Sequence, residues 1–244
     1  MRKAARIALT QCMGVKKGES VLIVTDNLRR PIAEAFLHEA EKLTRKAFLI
    51  TTPVGKIDGE EPPKHIAKAM KRYDVLLLVT TMSLSHTKAT AAARKGGSRI
   101  ASLPGVTEGM MKRCIPVDYG KMSALNRKVI RLLEKADEVR IITKKGTDLT
   151  MSAKGRELFD DNGMYNRGRG LLGNLPAGEV AFAPMEGKTN GVFVVDASMI
   201  EERMKEPIKI TVKNGYACGI SGGPQARKLL GLIRPLGRPA FNIA

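Results

Sequence analysis

The residues best able to do chemistry lie in one stretch, 174–191, Asn-Leu-Pro-Ala-Gly-Glu-Val-Ala-Phe-Ala-Pro-Met-Glu-Gly-Lys-Thr-Asn-Gly. A turn at Pro176–Gly178 delivers Glu179 to the head of a short apolar run, Val180 to Ala183, which Pro184 stops. Glu186 follows, before a second turn at Asn190–Gly191. A carboxylate fixed at a strand edge by a Pro/Gly turn is placed to hold a cation or a substrate amine, because it is already positioned when the ligand arrives. The same spacing also describes a hairpin with two solvated glutamates. A second polar cluster, Thr80-Thr-Met-Ser-Leu-Ser-His-Thr87, follows a strongly apolar run. Ser83, Ser85, His86 and Thr87 either bind a ligand or cap the next helix. His86 has no Asp or Cys at the spacing of a nucleophilic triad.

Several chemistries are not indicated. The chain carries no HExxH, no CxxC and no Asp-rich calcium loop, and no histidine follows residue 86. Asp26-Asn-Leu-Arg-Arg-Pro31 has no glycine to let a backbone approach a pyrophosphate, and Gly219-Ile-Ser-Gly-Gly-Pro224 lacks the Gly-Lys-Ser/Thr of a phosphate loop.

The elements that must position these residues change character along the chain. Apolar runs at 20–26, 47–52, 74–81, 98–103 and 138–143 alternate with helical stretches, which predicts a doubly wound, mainly parallel sheet with helices on both faces. After about Gly146 the strands become short and turn-separated, at 147–152, 180–183, 191–196 and 207–213, and a helix covers 224–233. The expectation is an α/β domain over 1–146 and a smaller mixed or antiparallel α+β domain over 147–244, with Gly219–Pro224 as a glycine-rich turn.

Composition narrows the class. Hydrophobic residues make up 43% of 244, enough for a sizeable core. Cys12, Cys114 and Cys218 are far apart and fit a reducing compartment. No run approaches 18 apolar residues and no signal-peptide pattern opens the chain, so a cytoplasmic protein with no membrane partner is expected. The net charge is +18, and residues 1–150 hold 29 Lys and Arg against 15 Asp and Glu. Such a field attracts polyanions, nucleic acid included, although no run of five or six cations occurs and aromatics are only 4%.

The 174–186 stretch with Asn190-Gly191 resembles the signature of the thermophilic aminopeptidase T family of metallopeptidases. Thr81–Thr87 and Ile100-Ala-Ser-Leu-Pro-Gly-Val-Thr107 are similar to segments of that family's N-terminal α/β domain. The ring-cleaving 2,5-dihydroxypyridine dioxygenases share part of this pattern and the fold. The first resemblance implies a metal-dependent aminopeptidase with a pair of divalent ions, zinc or cobalt, a peptide substrate and a homodimer. Glu179 is the one position matching a family metal ligand; Glu186, Asn174 and His86 are candidate substrate-binding residues. The family's remaining ligands, a second Glu and His motifs, have no counterpart before Ala244, so a C-terminally incomplete and inactive chain is expected. Two alternatives stand beside it: an iron-dependent ring-cleaving dioxygenase of the same superfold, and a basic, non-catalytic module that binds RNA or another polyanion.

Overall fold

A computed structural model describes residues 1–199 and 202–244. Its strands are β1 (Val21–Thr25), β2 (Ala47–Thr51), β3 (Val75–Val79), β4 (Arg99–Ser102), β5 (Glu138–Ile142), β6 (Asp148–Ser152), β7 (Phe159–Asp161), β8 (Leu172–Asn174), β9 (Glu179–Ala181), β10 (Asn190–Val195), β11 (Ser198–Met199), β12 (Glu202–Arg203), β13 (Ile208–Lys213) and β14 (Tyr216–Ser221). The α-helices are α1 (Arg2–Ile7), α2 (Arg30–Glu41), α3 (Lys64–Met70), α4 (Lys88–Lys95), α5 (Glu108–Cys114), α6 (Tyr119–Leu133) and α7 (Pro224–Ile233). The chain divides into unit 1, Met1–Arg127 with Asp161–Glu179, and unit 2, Lys128–Asp160 with Val180–Ala244. The sequence suggested one boundary between 146 and 147. The observed units are discontinuous because 161–179 returns to add β8 to the first sheet.

Unit 1 is built on a parallel sheet in the order β2-β1-β3-β4-β8. All five residues of β1 and of β3 are buried, which is why those strands read as unbroken apolar runs rather than alternating ones. Alternate side chains serve two cores. Val21, Ile23, Val75 and Leu77 pack with Ala4, Leu9 and Phe36 on one face. Leu22, Val24, Leu76 and Leu78 pack with Ile66, Met70 and Ala93 of α3 and α4 on the other. Each such aliphatic side chain contributes about 1.5–3 kcal/mol by leaving water.

Unit 2 carries an antiparallel sheet in the order β14-β13-β10-β6-β5. Along β13, Ile208, Ile210 and Val212 are buried while Lys209, Thr211 and Lys213 are exposed, the alternation of a sheet with one wet face. The buried face packs on Leu149, Met151, Val195 and, from α7, Ala226. Gly191 sits at φ +123°, and a Cβ there would lie 2.2 Å from the Asp148 carbonyl oxygen, so glycine is required for β10 and β6 to pair. The expected turn over Gly219–Pro224 is corrected: Gly219, Ile220 and Ser221 belong to β14, paired with Thr211, Ile210 and Lys209. Cross-strand pairing with β13 outweighs the weak strand preference of glycine. Among the described residues no helix is long and apolar enough to cross a membrane.

Candidate functional site

The signature loop Asn174–Glu179 belongs to unit 1 and is tied down by one buried carboxylate. Asp161, 4% exposed, accepts the Asn174 backbone N–H at Oδ2 (2.9 Å) and the Tyr165 hydroxyl at Oδ1 (2.6 Å). Its backbone carbonyl accepts the Gly178 N–H at 2.9 Å, so a single residue holds both ends of the loop. The Tyr165 hydroxyl also lies 2.7 Å from the Asn174 carbonyl oxygen. Gly173 lets this network close: a Cβ there would stand 2.4 Å from the Tyr165 hydroxyl and 2.5 Å from Asp161 Oδ1. Leu175 is buried, and its N–H donates to the Ser102 carbonyl at 2.9 Å, continuing the β4–β8 ladder.

This scaffold leaves Glu179 exposed at the start of β9, its carbonyl oxygen accepting from Asn126 Nδ2 at 3.0 Å. Asn174 is exposed at the end of β8. Glu186 lies in unit 2, where Arg156 donates to it at 2.9 Å and also to the carbonyls of Ala183 (2.6 Å) and Pro184 (2.8 Å). Its own backbone N–H and the Arg156 guanidinium hold the Glu186 carboxyl below the usual carboxylate range. His86 is exposed in the loop before α4, and among the described residues no hydrogen bond to its side chain occurs. Its neighbour Thr87 caps α4, accepting the Thr90 N–H at 3.1 Å. Of the four residues singled out from the sequence, Asn174 and Glu179 therefore share one loop, His86 stands on another loop of unit 1, and Glu186 belongs to unit 2.

Behind the loop, Cys12, Tyr119 and Tyr165 form a buried group with Asp161. Burial pushes the Cys12 thiol up to about 12, with the Asp161 carboxylate adding to the effect and the Tyr119 hydroxyl opposing it. Burial and the same carboxylate raise both phenols well above their ordinary range. Neutral and buried, these groups pack behind the loop and are not nucleophiles at neutral pH; of the two phenols it is Tyr165 that hydrogen-bonds to the loop.

A second feature of unit 1 adjoins the Thr80–Thr87 cluster, whose Thr80, Met82 and Leu84 line it, although the sequence did not point to Asp26 as its anchor. A cleft of about 210 Å³ opens beyond the C-terminal ends of β1, β2 and β3, lined by Asp26, Thr52, Val54, Ile57, Glu60 and Met82 among others. Open parallel sheets place ligands at this edge, where the strand order reverses between β1 and β3. Asp26, 1% exposed, accepts the backbone N–H groups of Leu28 (3.0 Å), Arg29 (3.1 Å) and Thr81 (2.5 Å) and the Thr81 hydroxyl (3.1 Å). It clamps two loops together at the mouth of the cleft. The available signal was its position, directly after a fully buried strand.

The described residues do not gather a metal centre. Among the described residues, no group of three or more His, Cys, Asp or Glu side chains gathers where an ion fits. One exposed carboxylate does not hold a divalent ion, which takes at least three or four donors.

Comparison with known proteins places this geometry. No curated protein matches the chain. The fold is similar to that of 2,5-dihydroxypyridine dioxygenase from Pseudomonas putida KT2440, at 18% identity and a TM-score of 0.80, covering 99% of this chain and 73% of that one. It is also similar to AmpT from Thermus thermophilus, at 16% identity and a TM-score of 0.63, covering 99% and 75%. The model of one family, NicX, 2,5-dihydroxypyridine 5,6-dioxygenase, matches residues 1–237. Nearly the whole chain, signature loop and both sheets included, therefore belongs to the NicX family of 2,5-dihydroxypyridine 5,6-dioxygenases.

Proposed function

We propose that the protein works in oxidative opening of a dihydroxylated pyridine or a closely related aromatic ring, with iron as the implied metal. The observation that carries this reading is the family match over residues 1–237. It supports the second of the two resemblances drawn from the signature loop. Family activity inserts both atoms of dioxygen across one ring bond, and a metal supplies the activation of dioxygen. The part played by this chain's own residues is structural and polar: Asp161 and Tyr165 hold the loop, and the loop presents Glu179 to solvent.

The second reading is a metallo-aminopeptidase using zinc or cobalt on a peptide substrate. It is favoured by the likeness to AmpT, whose fold this chain follows over 99% of its length. The two differ in reactants, and that separates them cleanly. Protein expressed from its complete coding sequence is incubated with Fe(II) and 2,5-dihydroxypyridine under an oxygen electrode. In parallel it is given Zn(II) or Co(II) and a chromogenic aminoacyl anilide. Oxygen uptake with iron and no anilide hydrolysis is expected. Hydrolysis without oxygen uptake would overturn the dioxygenase reading in favour of the peptidase.

A further inference from the structure

The surplus positive charge is not spread evenly over unit 1. It gathers at the edge of the parallel sheet opposite the cleft, where the chain enters each strand. Arg45 and Lys46 precede β2, Lys16 and Lys17 precede β1, and Lys71 and Arg72 precede β3. Arg94 and Lys95 precede β4, and Arg167 and Arg169 precede β8. Since the strands lie in the order β2-β1-β3-β4-β8, the five cationic pairs form one row. All ten side chains are exposed. None takes part in an ion pair among the described residues. The acids nearby are largely occupied: Glu19 is held by Arg99 at 2.7 Å, and Asp74 accepts the Ser20 N–H and hydroxyl at 2.8 Å. Glu41 is the remaining acid, on the wall of a groove of about 600 Å³ that it shares with Lys17, Lys42, Arg45 and Lys46. Across the sheet, the cleft edge mixes the two signs, Asp26, Asp58, Glu60 and Glu61 standing among Arg29, Arg30, Lys56 and Lys88.

Helix dipoles account for part of the row, since cations are favoured at the C-terminal ends of α2, α3 and α4. They do not account for Lys16, Lys17, Arg167 and Arg169, which follow no α-helix directly. Five strands at about 4.8 Å spacing make a row of about 19 Å, long enough to follow a short run of phosphates on one strand. At the β2 end stands an aromatic pair: Phe48, 49% exposed, meets Tyr73 edge-on with ring centroids 5.8 Å apart. A half-exposed ring beside a cationic row suits an unpaired base stacking on it, which duplex DNA and a lipid headgroup do not offer.

From these observations we infer that the strand-entry edge of unit 1 binds single-stranded nucleic acid, its phosphates along the cationic row and a base on Phe48. This goes beyond the ring-opening reading and is independent of it. The test is fluorescence anisotropy of the whole protein with a labelled oligouridylate. Neutralising one phosphate per loop gives a log–log salt slope of about −3.5, roughly a hundredfold weakening from 50 to 200 mM salt. The variant Lys71→Gln/Arg72→Gln is expected to bind about tenfold more weakly with a shallower slope. Phe48→Ala is expected to lose about tenfold with the slope unchanged. The charge-matched control Lys144→Gln/Lys145→Gln, in unit 2, should bind as the parent does. Unchanged circular dichroism melts show that the variants fold. Equal losses in the rim variant and the control would overturn the site, as would a slope near zero. Sedimentation with phosphatidylserine vesicles without oligonucleotide binding would also overturn it, assigning the row to a lipid surface.

Discussion

Tyr165→Phe tests the proposed support of the signature loop with the smallest perturbation available. The substitution removes one oxygen and leaves the ring, so it opens no cavity of consequence. The lost hydroxyl lies 2.6 Å from Asp161 Oδ1 and 2.7 Å from the Asn174 carbonyl oxygen. It has one proton to give, so the loss counts as one hydrogen bond to a carboxylate and not as two full bonds. Such bonds are worth about 1.5–3 kcal/mol, and the site is buried, so about 2 kcal/mol of stability should go. For a chain of 244 residues that corresponds to a fall in melting temperature of about 4–8 °C. Circular dichroism melts and urea titrations of parent and variant give the number directly. A variant melting within about 1 °C of the parent would refute the claim that this hydroxyl helps hold the loop.

Other outcomes follow from the same packing. Replacing Asp26 with Ala removes the acceptor of four hydrogen bonds, two within its own loop and two from Thr81 on the neighbouring one, and should cost about 2–4 kcal/mol in urea titrations. Gly173→Ala should fail to fold or lose several kcal/mol, because its Cβ would overlap the Tyr165 hydroxyl and Asp161; a near-parental melt would contradict the packing described. Cys12 makes stability depend on alkaline pH. Its folded value, raised from 9.0 to about 12, means that the unfolded chain gives up the proton first. Stability is therefore intact below pH 9 and falls between 9 and 12, at up to about 1.4 kcal/mol per pH unit, and Cys12→Ala should flatten that part of the curve. Ellman's reagent should modify exposed Cys218 in the native protein at once and reach buried Cys12 only on unfolding.

The parallel sheet was legible because β1 and β3 are buried on both faces, and that burial appears in sequence as unbroken runs such as Val75-Leu-Leu-Leu-Val79. The signature loop was legible too, because Pro176 and Gly178 mark its turn whatever surrounds it. The rest depended on distant contacts. β8 has only three residues, one of them Gly173, and becomes a strand because β4 supplies a partner. β14 holds Gly219 in place by pairing with β13. Asp161 and Tyr165 sit in a segment rich in Gly, Asn and Arg that gives no periodic signal, and their role appears only once Asn174 is brought against them. The cationic row was visible as a total charge but not as a row, since its ten residues are spread from Lys16 to Arg169 and aligned by strand order alone.

The central claim, membership in a ring-opening dioxygenase family carried through to activity, is tested most directly by isotope incorporation. The protein from its complete coding sequence, loaded with Fe(II), is given 2,5-dihydroxypyridine under ¹⁸O₂, and the product is weighed by mass spectrometry. The account predicts a ring-opened product carrying both labelled oxygen atoms. Unchanged substrate, or label entering only from ¹⁸O-water, would contradict it.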